Sequence, residues 1–434
     1  MVYRKDFLKY SISIYIIIQI LYVTFLNLPF RSDSMMFYNF AQQSLAIGKL
    51  YPNMAMISSD YLVSPVFVNY NFILLNIINS PFIILYFNIL LNSIQLFLIY
   101  KITLKIFGTQ SALWAAIIYM LYLTNLGLVL SNLSELLFGV LIFSSIYFFL
   151  SKNSILNFLL CGLFAGFALG VRPVAAAVIL AYIIICFYEL IKKKYPDYRK
   201  ILFILSGVLI YILLMGSISK KNIGHFIYTA GTGQINIALS SNDGATGIYS
   251  DSIFNYDSVY RTKTTFIEKN DYLFNKSVKW IKQHPFRFFS TIPRKIYSTF
   301  ISDDWVVSQL SHTNNWEFNR FVKSFKNPGL RKEFNSEPLS FRIIFIILNF
   351  LHQLIYSCIF IMILFQFYYF IKNKLIDNNI ILFYLIIFLG YGLTFIASVG
   401  TPRYKYPIIL VGIILISPVI HKFIQQIFKK STGE

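Results

Sequence analysis

Two carboxylates and two guanidiniums, set far apart along the chain, are the side chains best suited to chemistry: Asp33, Glu135, Arg172 and Arg403. Asp33 stands in Arg31-Ser-Asp33-Ser34-Met-Met-Phe37-Tyr38, directly after an apolar run. A carboxylate at the edge of an apolar phase can act as a general base toward an attacking hydroxyl. The same position also suits an N-cap for the helix that follows. Glu135 lies three residues after Asn132 at the head of another apolar run, the spacing of a capping box. An ionisable group there is costly unless paired, so Arg172 or Arg403 is an expected partner.

Arg172-Pro173 follows Gly170 in a connection with room for little more than a tight turn. A guanidinium held there can grip a phosphate through two parallel hydrogen bonds, which an ammonium cannot do. Interfacial snorkelling is the alternative. Near the carboxyl end, Gly400-Thr401-Pro402-Arg403-Tyr404-Lys405-Tyr406-Pro407 breaks the helices with a glycine and two prolines while packing cations and phenols together. An aromatic belt accounts for the tyrosines but less well for an arginine between prolines. Asn242-Asp243-Gly244-Ala245-Thr246-Gly247 reads as a surface turn. Trp280-Ile281-Lys282-Gln283-His284-Pro285 leads into Phe288, Ile292 and Lys295, a pattern expected to return a helix onto the membrane. Asp303-Asp304-Trp305 reads as a solvated loop, with a divalent-ion site beside a phosphate as its alternative. The five histidines lack metal-ligand spacing, and Cys161, Cys186 and Cys358 all lie in apolar runs.

These groups need a scaffold, and the composition says what it is. Of 434 residues 57% are hydrophobic and 13% charged, which fits a chain whose solvent is the bilayer. The net charge of +20 sits mostly at the ends of apolar runs, so membrane lipids, not nucleic acid, are the expected anionic partner. About ten spans are read at roughly 8–29, 73–100, 111–124, 133–150, 155–170, 174–191, 200–218, 341–371, 380–398 and 406–421. The first is too long for a signal-peptide core and is expected to remain as a span. Short connections on one side carry Arg4, Lys5, Lys9, Lys101, Lys105, Lys152, Lys192, Lys193, Lys194, Arg199, Lys200, Lys372, Lys374, Lys422, Lys429 and Lys430. Those opposite carry Arg31, Lys49, Arg172, Arg403 and Lys405. This asymmetry puts both termini in the cytoplasm of a plasma (inner) membrane protein.

With the sides assigned, the two carboxylates and two arginines fall at one extracytoplasmic boundary, where they can share a site. The expected organisation is an N-terminal transmembrane module over 1–218, whose first outer loop (30–70) carries Asp33, then a mixed extracytoplasmic loop domain over 219–340, then transmembrane helices over 341–434. Apolar residues at 36, 37, 40, 41 and 45 predict an amphipathic interfacial helix in that first loop, ending near Gly48.

In the order of its motifs the chain resembles the GT-C superfamily, specifically the bacterial relatives of protein O-mannosyltransferases and lipid A aminoarabinose transferases. The resemblance rests on Arg31-x-Asp33 with Tyr38, Ala41 and Gly48, on Ser134-Glu135, and on Gly162-x-x-x-Gly166 followed by Arg172-Pro173. Asn242 through Gly247, Trp280-Ile281 with His284-Pro285, Lys295 and Arg403-Tyr404 complete it. One departure is the uncharged stretch Ser64-Pro65-Val66-Phe67-Val68-Asn69-Tyr70, where relatives often carry charge. The resemblance implies an all-α polytopic membrane protein that moves a hexosyl or pentosyl unit, with inversion, from a polyprenyl-phosphate carrier to a hydroxyl of a glycan, lipid or protein acceptor. Asp33 would be the general base, with Arg31, Tyr38, Glu135, Arg172, Asn242, Arg403 and Tyr404 around the substrates. No cofactor is required if guanidiniums take the leaving charge, and a divalent cation is the alternative. Two other readings stay open: a polymerase or ligase acting on lipid-linked polysaccharide, and a transporter or flippase, which would place ionisable groups near mid-membrane.

Overall fold

The computed structural model describes residues 2–26, 30, 32–60, 62–192, 198–248, 257–303, 305, 307, 310, 318–373 and 379–432. In chain order the helices are α1 (Val2–Leu26), α2 (Ser32–Ile47), α3 (Pro65–Ile77), α4 (Pro81–Leu121), α5 (Thr124–Val129), α6 (Glu135–Phe149), α7 (Ile155–Val171), α8 (Ala176–Lys192), α9 (Arg199–Ile223) and α10 (Thr232–Ser240). They continue as α11 (Ser258–Thr262), α12 (Phe266–Gln283), α13 (Pro285–Ser290), α14 (Ile292–Phe300), α15 (Phe318–Ser324), α16 (Pro328–Ser336), α17 (Leu339–Lys372), α18 (Asn379–Ala397) and α19 (Tyr406–Thr432). Among the described residues six helical stretches are long and apolar enough to cross a membrane, within α1, α4, α8, α9, α17 and α19, and four shorter apolar ones lie in α3, α6, α7 and α18. The chain is thus a multi-pass, all-helical membrane protein. Where a mixed loop domain is expected over 219–340, the described residues form helices, and their β pairing is a single parallel bridge between Ile248 and Gly400.

The helix predicted in the first outer loop is present as α2, buries Phe37 and Ala41, and stops where Gly48 takes φ 61°. The apolar run read from 73 to 100 is two helices rather than one. Asn79-Ser80-Pro81 divides it, because Ser80 caps α4 with Pro81 in the first helical turn. At about 1.5 Å per residue, the 41 residues of α4 would reach roughly 60 Å, twice the hydrocarbon thickness. The chain reverses instead at Gly108, whose φ of 82° and ψ of 178° are not helical. The Tyr119 hydroxyl then lies 3.4 Å from the Asn92 carbonyl oxygen, so the two halves run antiparallel. Inside the bundle, Asn92 Nδ2 donates to Gln19 Oε1 at 2.9 Å and to the Tyr15 hydroxyl at 3.1 Å, tying α1 to α4 where no water competes.

The Gly162-x-x-x-Gly166 motif has a packing role. Gly162, Gly166 and Gly170 line one side of α7 against α9, where a Cβ at Gly162 would fall on the Ile204 carbonyl oxygen and one at Gly166 would sit 2.6 Å from Tyr211 Cβ. Gly207 on α9 is equally tight against Leu159 and Leu163. Backbone contact at this distance lets α7 carry Arg172 to a fixed place.

Asp303 departs from its expectation. Neither a solvated loop residue nor an open ion ligand, it has no exposed surface. Its Oδ2 accepts from Thr124 Oγ1 at 2.8 Å and from the Tyr122 hydroxyl, and its Oδ1 lies 3.0 Å from Lys405 Nζ. His352 Nε2 must carry a proton, because it donates to the Asp303 carbonyl oxygen at 2.8 Å. The neighbouring Asp304 lies outside the described residues. Burial raises the Asp303 pKa, but the Lys405 ammonium and His352 outweigh it and hold the carboxyl down at about 2.

Two measurements check this packing. Gly162→Val is expected to cost about 1–3 kcal/mol and to lower the unfolding midpoint of the purified protein; an unchanged midpoint would contradict the α7–α9 contact. Because the folded-state pKa of Asp303 is depressed, its contribution of roughly 2 kcal/mol is present in full above pH ~4 and is lost as pH falls toward 2. The gap in unfolding midpoint between wild type and Asp303→Asn should therefore narrow between pH 5 and pH 2.

Candidate active site

Each arginine owes its place to a proline. The residue before a proline is pushed out of the helical region, and Arg172, ahead of Pro173, takes φ −146° and ψ 129° as α7 ends. Thr401, ahead of Pro402, does the same at φ −146° and ψ 138°, which starts a separate short turn, Pro402–Lys405, carrying Arg403. Both guanidiniums thereby leave the axis of the preceding helix and turn across the top of the bundle.

The carboxylates arrive from helix starts. Asp33 lies inside the first turn of α2, where the helix dipole favours negative charge, so it is a first-turn residue and not the cap. Glu135 is the first residue of α6, and no side chain caps that helix. The expected capping partner, Asn132, is used elsewhere. Its Nδ2 donates to the Ser34 carbonyl oxygen at 3.1 Å and its Oδ1 accepts from Asn71 Nδ2 at 2.8 Å. This bridge fixes the start of α2 against the approach to α6, and so sets Asp33 beside Glu135. Ser64 ties in α3: its Oγ caps that helix and donates to the Gly170 carbonyl oxygen at 3.1 Å, two residues from Arg172.

The four residues meet. Glu135 Oε1 accepts from Arg172 Nη2 and from Arg403 Nε, its Oε2 lies 3.3 Å from Arg403 Nη2, and Arg403 Nη1 donates to Asp33 Oδ2. Arg172 Nε adds a bond to Ser134 Oγ at 3.1 Å. Side-chain exposure rises in order, from none at Glu135 through 14% at Arg172 and 18% at Arg403 to 46% at Asp33. Glu135 is therefore the buried keystone and Asp33 the carboxylate open to solvent. Two negative and two positive charges cancel, which is what lets the group sit at the apolar boundary, since an unpaired buried charge costs several kcal/mol.

The remaining candidates separate. Tyr404 follows Arg403 on the same turn and packs against Ile235, Ala238 and Leu239 of α10. Tyr38 does not join, because its hydroxyl accepts from Gln42 Nε2 at 2.9 Å and its ring packs on Phe30. Asn242 closes the end of α10, bonding the Ala238 and Leu239 carbonyls and receiving Gly244 N–H at 2.9 Å, the turn role read for that segment. Arg31 lies outside the described residues. Among the described residues no group of three or more His, Cys, Asp or Glu side chains is placed to hold a metal ion. What sequence reasoning missed was Lys405, taken only as an outer positive charge. A lysine between two tyrosines at the mouth of a span signals a buried partner, but nothing local points to Asp303.

Residues 63–218 match the model of the dolichyl-phosphate-mannose-protein mannosyltransferase family. That stretch contains Glu135 and Arg172, while Asp33 and Arg403 reach the same cluster from outside it. No curated protein matches the chain. Among solved structures it is similar to the crystal structure of the Archaeoglobus fulgidus oligosaccharyltransferase tethered to an acceptor peptide containing the NVT sequon, at 12% identity and a TM-score of 0.49, over 98% of this chain and 51% of that one. The chain thus spans about half the length of that structure. The resemblance read from the motifs is met over residues 63–218, where this chain is similar to membrane glycosyltransferases of the GT-C superfamily.

Proposed function

We propose that this protein is a membrane glycosyltransferase that moves one sugar from a polyprenyl-phosphate carrier to an acceptor hydroxyl on the extracytoplasmic face, with inversion. The observation that carries the reading is the meeting of Asp33, Glu135, Arg172 and Arg403, drawn from four separate connections, in one neutral cluster with a single reachable carboxylate. In this reading the chain crosses the membrane about ten times, both termini are cytoplasmic, and the cluster faces the outer leaflet of a plasma (inner) membrane. The family matched by residues 63–218 takes its name from a sugar on a polyisoprenoid phosphate, which supports a donor of that class.

The chemistry follows from which groups are fixed and which can be released. Glu135 holds both guanidiniums in place from below. A donor phosphate approaching from the bilayer competes with Asp33 Oδ2 for Arg403 Nη1, so donor binding frees the base it will need. Asp33 then takes the proton of the acceptor hydroxyl as its oxygen forms the new bond to the anomeric carbon. The bond from that carbon to the phosphate oxygen breaks, and the polyprenyl phosphate leaves with the electron pair and one more negative charge. Arg172 and Arg403 stabilise that charge where it develops. The acceptor, whether glycan, lipid or protein, lies under the loop over 219–340 and faces Tyr404.

Asp33→Asn keeps the shape of the side chain and removes the base. Reconstituted with labelled polyprenyl-phosphate monosaccharides, it should transfer about 10²- to 10⁴-fold more slowly than wild type while still binding polyprenyl phosphate. Turnover near the wild-type rate would end the assignment of Asp33. Transfer of whole oligosaccharides but not of monosaccharides would favour the polymerase or ligase reading instead.

A further inference from the structure

Arg403 stands on a turn that the outer loop holds at both ends. On its upstream side, Gly400 N–H donates to the Gly247 carbonyl oxygen at 2.9 Å, Ser240 Oγ donates to the Ala397 carbonyl oxygen at 3.0 Å, and Lys295 Nζ donates to the Ile396 carbonyl oxygen at 2.8 Å. The fit is close: a Cβ at Gly400 would collide with Ser298 Oγ and the Lys295 backbone, so the segment before the turn lies directly on α14. Downstream, Lys405 Nζ donates to the Thr299 carbonyl oxygen at 2.9 Å and to that of Ser302, and pairs with Asp303 Oδ1 at 3.0 Å. The two lysines reach in opposite senses. Lys295 goes from α14 to the end of α18, and Lys405 goes from the turn back to the end of α14. Both residues are almost completely buried.

A tether needs no buried charge, since apolar packing of similar volume commonly serves stability as well or better. What the carbonyl bonds add is direction, because an ammonium donating to two backbone oxygens and paired with a carboxylate allows little rotation. One residue separates Lys405 from Arg403, and Tyr406 N–H donates to the Arg403 carbonyl oxygen, so rotation at one is carried to the other. We propose that Lys405 is a positioning residue: by its grip on Asp303 and the end of α14 it fixes the angle at which Arg403 meets Asp33 and Glu135, so that the outer loop sets the site's affinity for the donor phosphate. This rests on the reading of Arg403 as a phosphate-holding group.

The test uses the full-length protein in lipid nanodiscs, with radiolabelled polyprenyl phosphate as the binding probe and initial transfer rates as the second readout. Arg403→Ala examines the underlying reading: binding at wild-type strength would remove it, and the present proposal with it. Given that Arg403→Ala binds weakly, Lys405→Met should weaken polyprenyl phosphate binding and raise the donor KM about 10- to 100-fold, with the acceptor KM unchanged. Because Lys405→Met leaves the buried Asp303 without its ammonium, Asp303→Asn combined with Lys405→Met is the decisive variant. Removing both charges should restore the unfolding midpoint while donor binding stays weak. Donor binding that returns to wild type together with stability would show a purely structural pair and overturn the proposal.

Discussion

Glu135 is the constraint from which the upper end of the bundle follows. A carboxylate with no exposed surface, at the mouth of an apolar helix, cannot stay ionised without cations against it, and this one has two. Each arginine must then be delivered by a break in the chain, which Pro173 and Pro402 provide. Because two guanidiniums overcompensate one carboxylate, a second carboxylate is needed, and Asp33 supplies it from the first turn of α2. Neutrality is reached only with all four. The arrangement leaves Asp33 as the most exposed of the four side chains.

The sequence carried much of this and hid the rest for identifiable reasons. Apolar runs marked the helices well, because a bilayer span needs sustained hydrophobicity. Reversals inside those runs were harder to read, since Ser80-Pro81 and Gly108 each act through one or two residues. The convergence of Asp33, Glu135, Arg172 and Arg403 was legible because topology alone brings them to one boundary. The fates of Asn132 and Asp303 were not. Asn132 has the spacing of a capping residue, yet it bridges Ser34 and Asn71. Asp303 sits beside another aspartate in a polar stretch, and its burial depends on Thr124, His352 and Lys405, which are remote in sequence.

Rigid and adaptable parts divide cleanly. The α7–α9 crossing brings backbone against backbone, and Asn92 links α1 to α4 through amide and phenol groups inside the bundle. Those groups are neutral, while Asp33, Glu135, Arg172 and Arg403 meet together at one end. Over that end the segment 219–340 lays α14 along the turn bearing Arg403 and packs α10 against Tyr404.

The span between Asp33 and Arg403 has a consequence for biogenesis. The two are 370 residues apart in sequence, whereas Glu135 and Arg172 are 37 apart. A ribosome adding about 5–20 residues per second makes the nearer pair available within seconds but brings Arg403 to Asp33 only after roughly 20–70 s. Through that interval Asp33 lacks Arg403, and the nascent chain lacks the turn that completes the cluster. Completion of the four-residue cluster therefore waits on insertion of the late helices.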